Sequence, residues 1–216
     1  MTHHSEIVTV ARAIVEAQST IESQIARLRD ITGPASEAAS VSVPSIPTVP
    51  GTAFGGGFYA GQIRINDQAF ALIVAPKDNG ELSSIRWKTS RTNTPMARSL
   101  HDGHANSVAM HDEDHPAAKF CRDLRIGGFD DWFLPSRSEL NLLCEVFMST
   151  PGGNPEQTTA EAFKQGGPEA FAGEWYWSST EFSANSAWMQ LFGGGYQDYG
   201  GKLSSCRCRA VRKVLI

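Results

Sequence analysis

The sequence predicts an α+β chain: a loop-rich head of two helices packed on short, twisted antiparallel sheets, preceded by an N-terminal coiled-coil helix. Three observations predict it. Apolar residues recur every seven positions over residues 5–32. Short alternating runs bounded by Gly, Asn and Asp fill residues 58–76 and 175–212. Two capped amphipathic stretches lie between them, near 116–124 and 136–147.

The first element is the N-terminal helix. Ile7, Ile14, Ile21 and Leu28 fall seven apart, and Val10, Ala17, Gln24 and Ile31 follow each by three. Ser5 caps the start and Gly33-Pro34 ends it. A seam this narrow needs partner helices, and Ile at the first position with Ala17 and Gln24 at the second favours a parallel trimer over a Leu-rich dimer. The alternative is an amphipathic helix lying on its own globular domain. The helix would be about 42 Å long, a stalk by shape. These eight seam residues are the expected trimer interface of a domain spanning residues 1–33.

Residues 34–57 read as an extended linker. Pro44, Pro47 and Pro50 stand three apart with apolar residues between them, which favours polyproline II, and the Gly run at 55–57 marks a bend. The head then covers 58–216. Tyr59, Gly61, Ile63 and Ile65 alternate with polar residues, Asn66-Asp67 turns the chain, and 70–74 returns as a buried strand. Lys77-Asp78-Asn79-Gly80 is a second turn, and 84–87 a third short strand. Residues 88–115 are polar and lack a sustained period, so they read as a solvated loop. That loop holds His101, His104, His111 and His115 beside Asp102, Asp112, Glu113 and Asp114, but no established metal-binding spacing, so no metal is expected. Pro116 opens a helix whose face carries Ala117, Phe120, Cys121 and Leu124. Ser136 and Glu139 form a capping box for the next helix, faced by Leu140, Leu143, Cys144 and Phe147. Residues 149–173 read as a surface excursion with a short helix near 159–164.

Composition narrows the class of partner. The 216 residues carry 19 Lys and Arg against 23 Asp and Glu, a formal charge of −4. That argues against nucleic acid or an anionic membrane as partner. No apolar run approaches the ~20 residues of a membrane span, and the N-terminus lacks a basic-then-apolar leader, so folding in a cytoplasm without membrane insertion is expected. Cys121, Cys144, Cys206 and Cys208 lack zinc spacing. In a cytoplasm they are expected as reduced, mostly buried thiols, although Cys121 could meet the C-terminal pair. No Ser-His-Asp order, paired carboxylates or phosphate loop points to an enzyme or to a cofactor.

Several motifs occur in a fixed order: G-G-F-D-D-W-F-L-P-S-R-S-E-L at 127–140, Y-W-S-S-T-E at 176–181, A-W at 187–188, glycines at 193–195, Lys202, and R-A-V-R at 209–212. In this the chain resembles a domain-of-unknown-function family built on D-W-x-L-P, E-L, W-S-S-T-E and R-x-V-R, over residues 55–214. The resemblance implies a C-type-lectin-like fold, found in phage tail proteins and at the tips of bacterial collagen-like surface adhesins. It makes Trp132, Leu134 and Pro135 a core turn, Trp177, Ser178 and Ser179 a strand, and Arg209 and Arg212 the last strand. Many relatives carry Cys where Ala210 stands, and the calcium-binding triplets of true lectins are missing, so neither a disulfide nor calcium-dependent sugar binding is implied.

Between these framework residues lie the candidate ligand-binding residues: Phe182, Ser183, Asn185 and Ser186 in one loop, Tyr196, Gln197, Asp198 and Tyr199 in another. Aromatic, small and amide side chains are the palette of recognition loops. Alternatively, the tyrosines merely close a hairpin. The functional expectation is a homotrimeric phage or prophage tail-fibre or tail-tip protein, located in the virion tail. It would attach to other tail or baseplate proteins by its N-terminal region and bind a host receptor (glycan, pilus or outer-membrane protein). A surface adhesin, a structural baseplate protein and a lectin-fold oxidase using Cys206 and Cys208 are the alternatives.

Overall fold

The protein is described by a computed structural model covering residues 23–24, 45–152 and 156–216. Of the seam residues only Gln24 falls within it, helical and exposed. The others, and with them the coiled coil and its trimer interface, lie outside the described residues.

Ile46–Ile216 is one of two compact units of the chain, a mixed α/β arrangement dominated by sheets. It begins before residue 58, because the stretch read as linker is fastened to the head. Gly51 N donates to Tyr59 O (2.8 Å), and strand β1 (Ala53–Phe54) pairs with the start of β2 (Gly57–Ile65). The β2–β3 hairpin (β3, Gln68–Val74) forms as the alternation predicts. Asn66 and Asp67 both take positive φ (48° and 65°), the twist a two-residue hairpin needs. Strand β9 (Val211–Leu215) completes a four-stranded sheet in the order β1-β2-β3-β9.

The second sheet has five strands, ordered β4-β8-β5-β6-β7. These are β4 (Glu81–Arg86), β5 (Trp175–Glu181), β6 (Ser186–Leu191), β7 (Gln197–Gly201) and β8 (Ser205–Arg209). All neighbours run antiparallel except β5 and β8, which meet in parallel at Tyr176 and Arg207. Strands β8 and β9 are one extended segment interrupted only at Ala210. There the chain leaves one sheet for the other: Ala210 N donates to Gly80 O and Ala210 O accepts from Ala75 N, both at 2.9 Å.

Helix α1 is the short turn Lys77–Gly80, and α2 (Gly103–Val108) is capped by Asp102. Helix α3 (Pro116–Asp123) packs by β4. Helix α4 (Arg137–Phe147) carries the expected capping box between Ser136 and Glu139 and lies on β2. One core joins Trp87, Trp132, Trp177, Cys121 and Cys208; the other joins Phe133, Leu143, Phe147, Phe163, Phe171 and Phe192.

Two expectations need correction. Residues 88–115 are not simply a solvated loop. They hold α2, and Lys88, Asn106, Ser107 and His115 are buried. Only Ala97 and Met110 face the core as apolar residues, and the other inward-facing groups are polar with partners inside: Asn106 Nδ2 donates to Ser99 O (2.8 Å) and Ser179 Oγ (3.1 Å). A hydrophobic period therefore never appears. Residues 149–173 are likewise not a mere surface excursion. Phe163, in a 3-10 turn at Glu161–Phe163, stacks on Phe147 at 3.9 Å, and Phe171 stacks on Phe192 at 4.2 Å. Two rings moor an otherwise polar segment.

Candidate functional site

Antiparallel pairing of β6 with β7 sets Trp188 opposite Tyr199, and the loop leaving β5 brings Phe182 to the same place. The Phe182 and Tyr199 rings stack at 3.9 Å with 9° between their planes. Trp188 meets both edge-on, at 5.2 and 6.0 Å. Even so, Phe182 is 45% and Tyr199 48% exposed. Rings that fill one another's faces but keep half their surface in water form a rigid, partly dry platform rather than a core.

The platform is held from behind. The Arg137 guanidinium lies 3.8 Å over the Trp188 ring. Arg137 Nε donates to Gln197 Oε1 (2.8 Å) and Gln197 Nε2 donates back to Arg137 O (3.0 Å). Arg137 is the first residue of capped α4, so the helix start fixes the cation over the indole. The 182–186 loop closes on itself: Phe182 N and Ser183 N both donate to Ser186 O at 3.0 Å, and the Ser183 and Ser186 hydroxyls bond at 2.9 Å.

Beneath the loops sits an ion pair. Glu181 and Lys202 have fully buried side chains, with Lys202 Nζ 2.6 Å from Glu181 Oε1. Glu181 also accepts from Thr94 N (2.5 Å) and Arg98 Nε (2.9 Å). Burial alone would raise the Glu181 carboxyl, but Lys202, Thr94 and Arg98 outweigh it and hold it below its ordinary value. Burial draws the Lys202 ammonium below its ordinary value, opposed by Glu181.

Of the eight expected ligand residues, the structure brings Phe182 and Tyr199 together and sets Asp198 beside them, exposed, with Oδ1 accepting from Tyr199 N (2.8 Å). Ser183 and Ser186 spend their hydroxyls on each other. Gln197 spends its amide on Arg137, and Asn185 O accepts from Lys202 N at 2.9 Å. Tyr196, 69% exposed, lies against Gly194, outside the stack. The sequence places Trp188 in the framework and gives no sign of the roles of Arg137 and Glu181.

The other candidates are dispersed. His111 Nε2 meets Asp123 (2.7 Å), His115 lies between Asp112 (2.7 Å) and Thr94 (2.9 Å), and His101 bonds Ser138 (2.9 Å). Among the described residues no three His, Cys, Asp or Glu side chains gather to hold a metal. All four cysteines are free, and only Cys206 is not fully buried. Burial pushes the Cys206 thiol up to about 11 and Cys144 up to about 12, which keeps both protonated at neutral pH. Burial, then the neighbouring Cys208, pushes Cys121 up as well, so Cys121 lies beside one member of the C-terminal pair, Cys208, with both thiols free.

Helices α3 and α4, strands β4 to β8 and the whole platform fall inside residues 79–212, the stretch matched by the family model of the Lcl C-terminal domain. The chain belongs to that family. The matched Lcl C-terminal domain thus holds Phe182, Trp188, Tyr199, Arg137 and the Glu181–Lys202 pair, whereas β1, β2 and β3 precede it. No curated protein matches the chain.

Proposed function

We propose that this chain is the receptor-binding head of a phage or prophage tail-fibre or tail-tip protein. The observation that carries the reading is the exposed platform of Phe182, Trp188 and Tyr199, three rings held rigid on adjoining strands. Aromatic anchors that are ordered before the ligand arrives lose little entropy on binding, which is how a small face achieves useful affinity. Support for a C-type-lectin-like head comes from two short, mainly antiparallel sheets with two longer helices and an irregular binding edge. The heptad seam of residues 7–31 would assemble three such heads on a coiled coil and join them to other tail proteins. Three heads multiply a modest single-site affinity.

The test is a double variant, Phe182→Ala with Tyr199→Ala, in the full chain. Binding to host cells is expected to fall at least roughly thirtyfold, the loss of one hot spot. The melting temperature should change little, because both rings are already half in water. Unchanged cell binding would overturn the assignment of the site. Antibody against the head should decorate virion tails; decoration of the bacterial envelope alone would transfer the reading to a surface adhesin.

A further inference from the structure

Residues 88–98 pass under the platform with almost no regular secondary structure, yet their backbone is tightly held. Two ammonium groups hold it. Lys202 Nζ takes Glu181 Oε1 (2.6 Å) and Thr92 O (2.8 Å) and lies 4.8 Å from the centre of the Trp87 ring. Lys88 Nζ takes Thr94 Oγ1 (2.9 Å), Thr92 O (3.3 Å) and Asn93 O (3.3 Å), with Asp114 Oδ2 at 3.5 Å. Thr92 O is shared between the two. Main-chain carbonyls, a hydroxyl and carboxylates converging on a point of positive charge are the donor set of a hard cation. The backbone joins the two centres as well, since Lys88 N donates to Lys202 O at 3.2 Å.

We propose that Lys202 and Lys88 are built-in cations: their ammonium groups occupy the place and do the work of a bound metal ion, wrapping segment 89–98 and fixing the base of the aromatic platform. Lys202 is the principal positioning residue, because its partner Glu181 immediately precedes Phe182 and Lys202 itself follows Tyr199 by three residues. Glu181 N also donates to Ala97 O (2.6 Å) and Lys202 N to Asn185 O (2.9 Å), so both platform loops and the 89–98 segment meet at this pair. A tethered cation has no dissociation step. The face therefore forms without calcium and withstands its removal, unlike a loop gathered by a soluble ion. A hydrophobic residue at position 202 would leave the buried Glu181 carboxylate with the half-exposed Arg98 as its remaining counter-charge.

The test uses the full chain and does not need a receptor, so its failure is separable from failure of the receptor reading. Amide exchange over 89–98, with the Thr94 N–H as reporter, is followed together with Trp87 fluorescence. In the wild type both should be indifferent to a chelator and to added calcium; loss of protection with the chelator would overturn the proposal. Lys202→Ala should speed exchange of 89–98 by about tenfold or more. Ethylammonium, small enough to enter the vacated space, should restore protection, and bulkier choline at equal ionic strength should not. Unaltered protection in Lys202→Ala, or rescue by neither cation, would overturn the proposal. If Lys202→Ala does not fold, Lys202→Arg decides: a retained positive charge should retain protection, and loss of protection would count against the proposal.

Discussion

Glu139 should make the stability of the head fall as pH rises. It sits at the third position of α4, with a side chain 1% exposed. Its Oε2 accepts from Ser136 N (2.7 Å) and Gly103 N (3.1 Å), whereas Oε1 is buried without a partner. Burial dominates these hydrogen bonds and pushes the carboxyl from 4.5 up to about 7. A raised folded-state value means that the folded protein holds the proton more tightly than the unfolded chain. Its contribution is fully present below about 4.5 and is lost as pH rises through about 7. A shift of this size corresponds to about 3 kcal/mol across that window. In melting temperature that is roughly 6–12 °C for a domain of this length. The perturbation is Glu139→Gln, which keeps an acceptor for both N–H groups and removes the titration. Urea denaturation of both proteins between pH 4 and 9 isolates the effect, because all other titrating groups cancel in the difference. The wild type should lose about 3 kcal/mol relative to the variant over this range. A difference that stays flat with pH would refute the reasoning and place a charged Glu139 in a solvated or better-paired setting.

Three further outcomes follow from the geometry. Arg209 is fully buried, bonded to Ala75 O (2.9 Å), Glu169 O (2.7 Å) and the Glu169 carboxylate, and its guanidinium stands 4.6 Å over Phe171. Arg209→Met should destabilise by about 3–5 kcal/mol in urea titration, because Glu169 loses its buried counter-charge and Glu81 keeps only Arg207. A Cβ at Gly57 would stand 2.2 Å from Val74 O, so Gly57→Ala should cost at least about 2 kcal/mol and lower the melting midpoint. Deleting residues 1–45 should leave the melting transition of Ile46–Ile216 in place. Light scattering should then show a mass of one chain instead of the proposed three.

Much of the framework was legible in the sequence because local chemistry and tertiary placement agree there. Asn66-Asp67 demands a hairpin turn, Ser136 with Glu139 demands a helix start, and both form. What stayed hidden was order built from polar partners. The segment 88–98 shows no period because Lys88 and Thr94, rather than Leu or Val, face inward. Residues 46–57 look like a linker because Pro and Gly obscure the backbone bonds that Gly51 and Tyr59 make across eight positions. The platform was half legible: Phe182 and Tyr199 stand out as aromatics in Gly- and Ser-rich loops. Trp188 looks like framework until β6–β7 register sets it against them, and Arg137 arrives from a helix fifty residues upstream. Proximity of that kind is a property of topology, and no local spacing encodes it.

The passage of one strand through Ala210 bears on how the protein is made. Strand β8 is the bridge between β4 and β5, and β9 closes the other sheet against β3. During vectorial synthesis, a nascent chain lacking residues 205–215 can complete neither sheet. Both sheets stay open until residues 205–215 are translated, and their arrival closes them together. Completion of the Ile46–Ile216 unit therefore waits on residues 205–215, and until they emerge the edges of β3, β4 and β5 stand unpaired. Chaperone demand should peak just before residues 205–215 emerge, when those edges have been exposed longest.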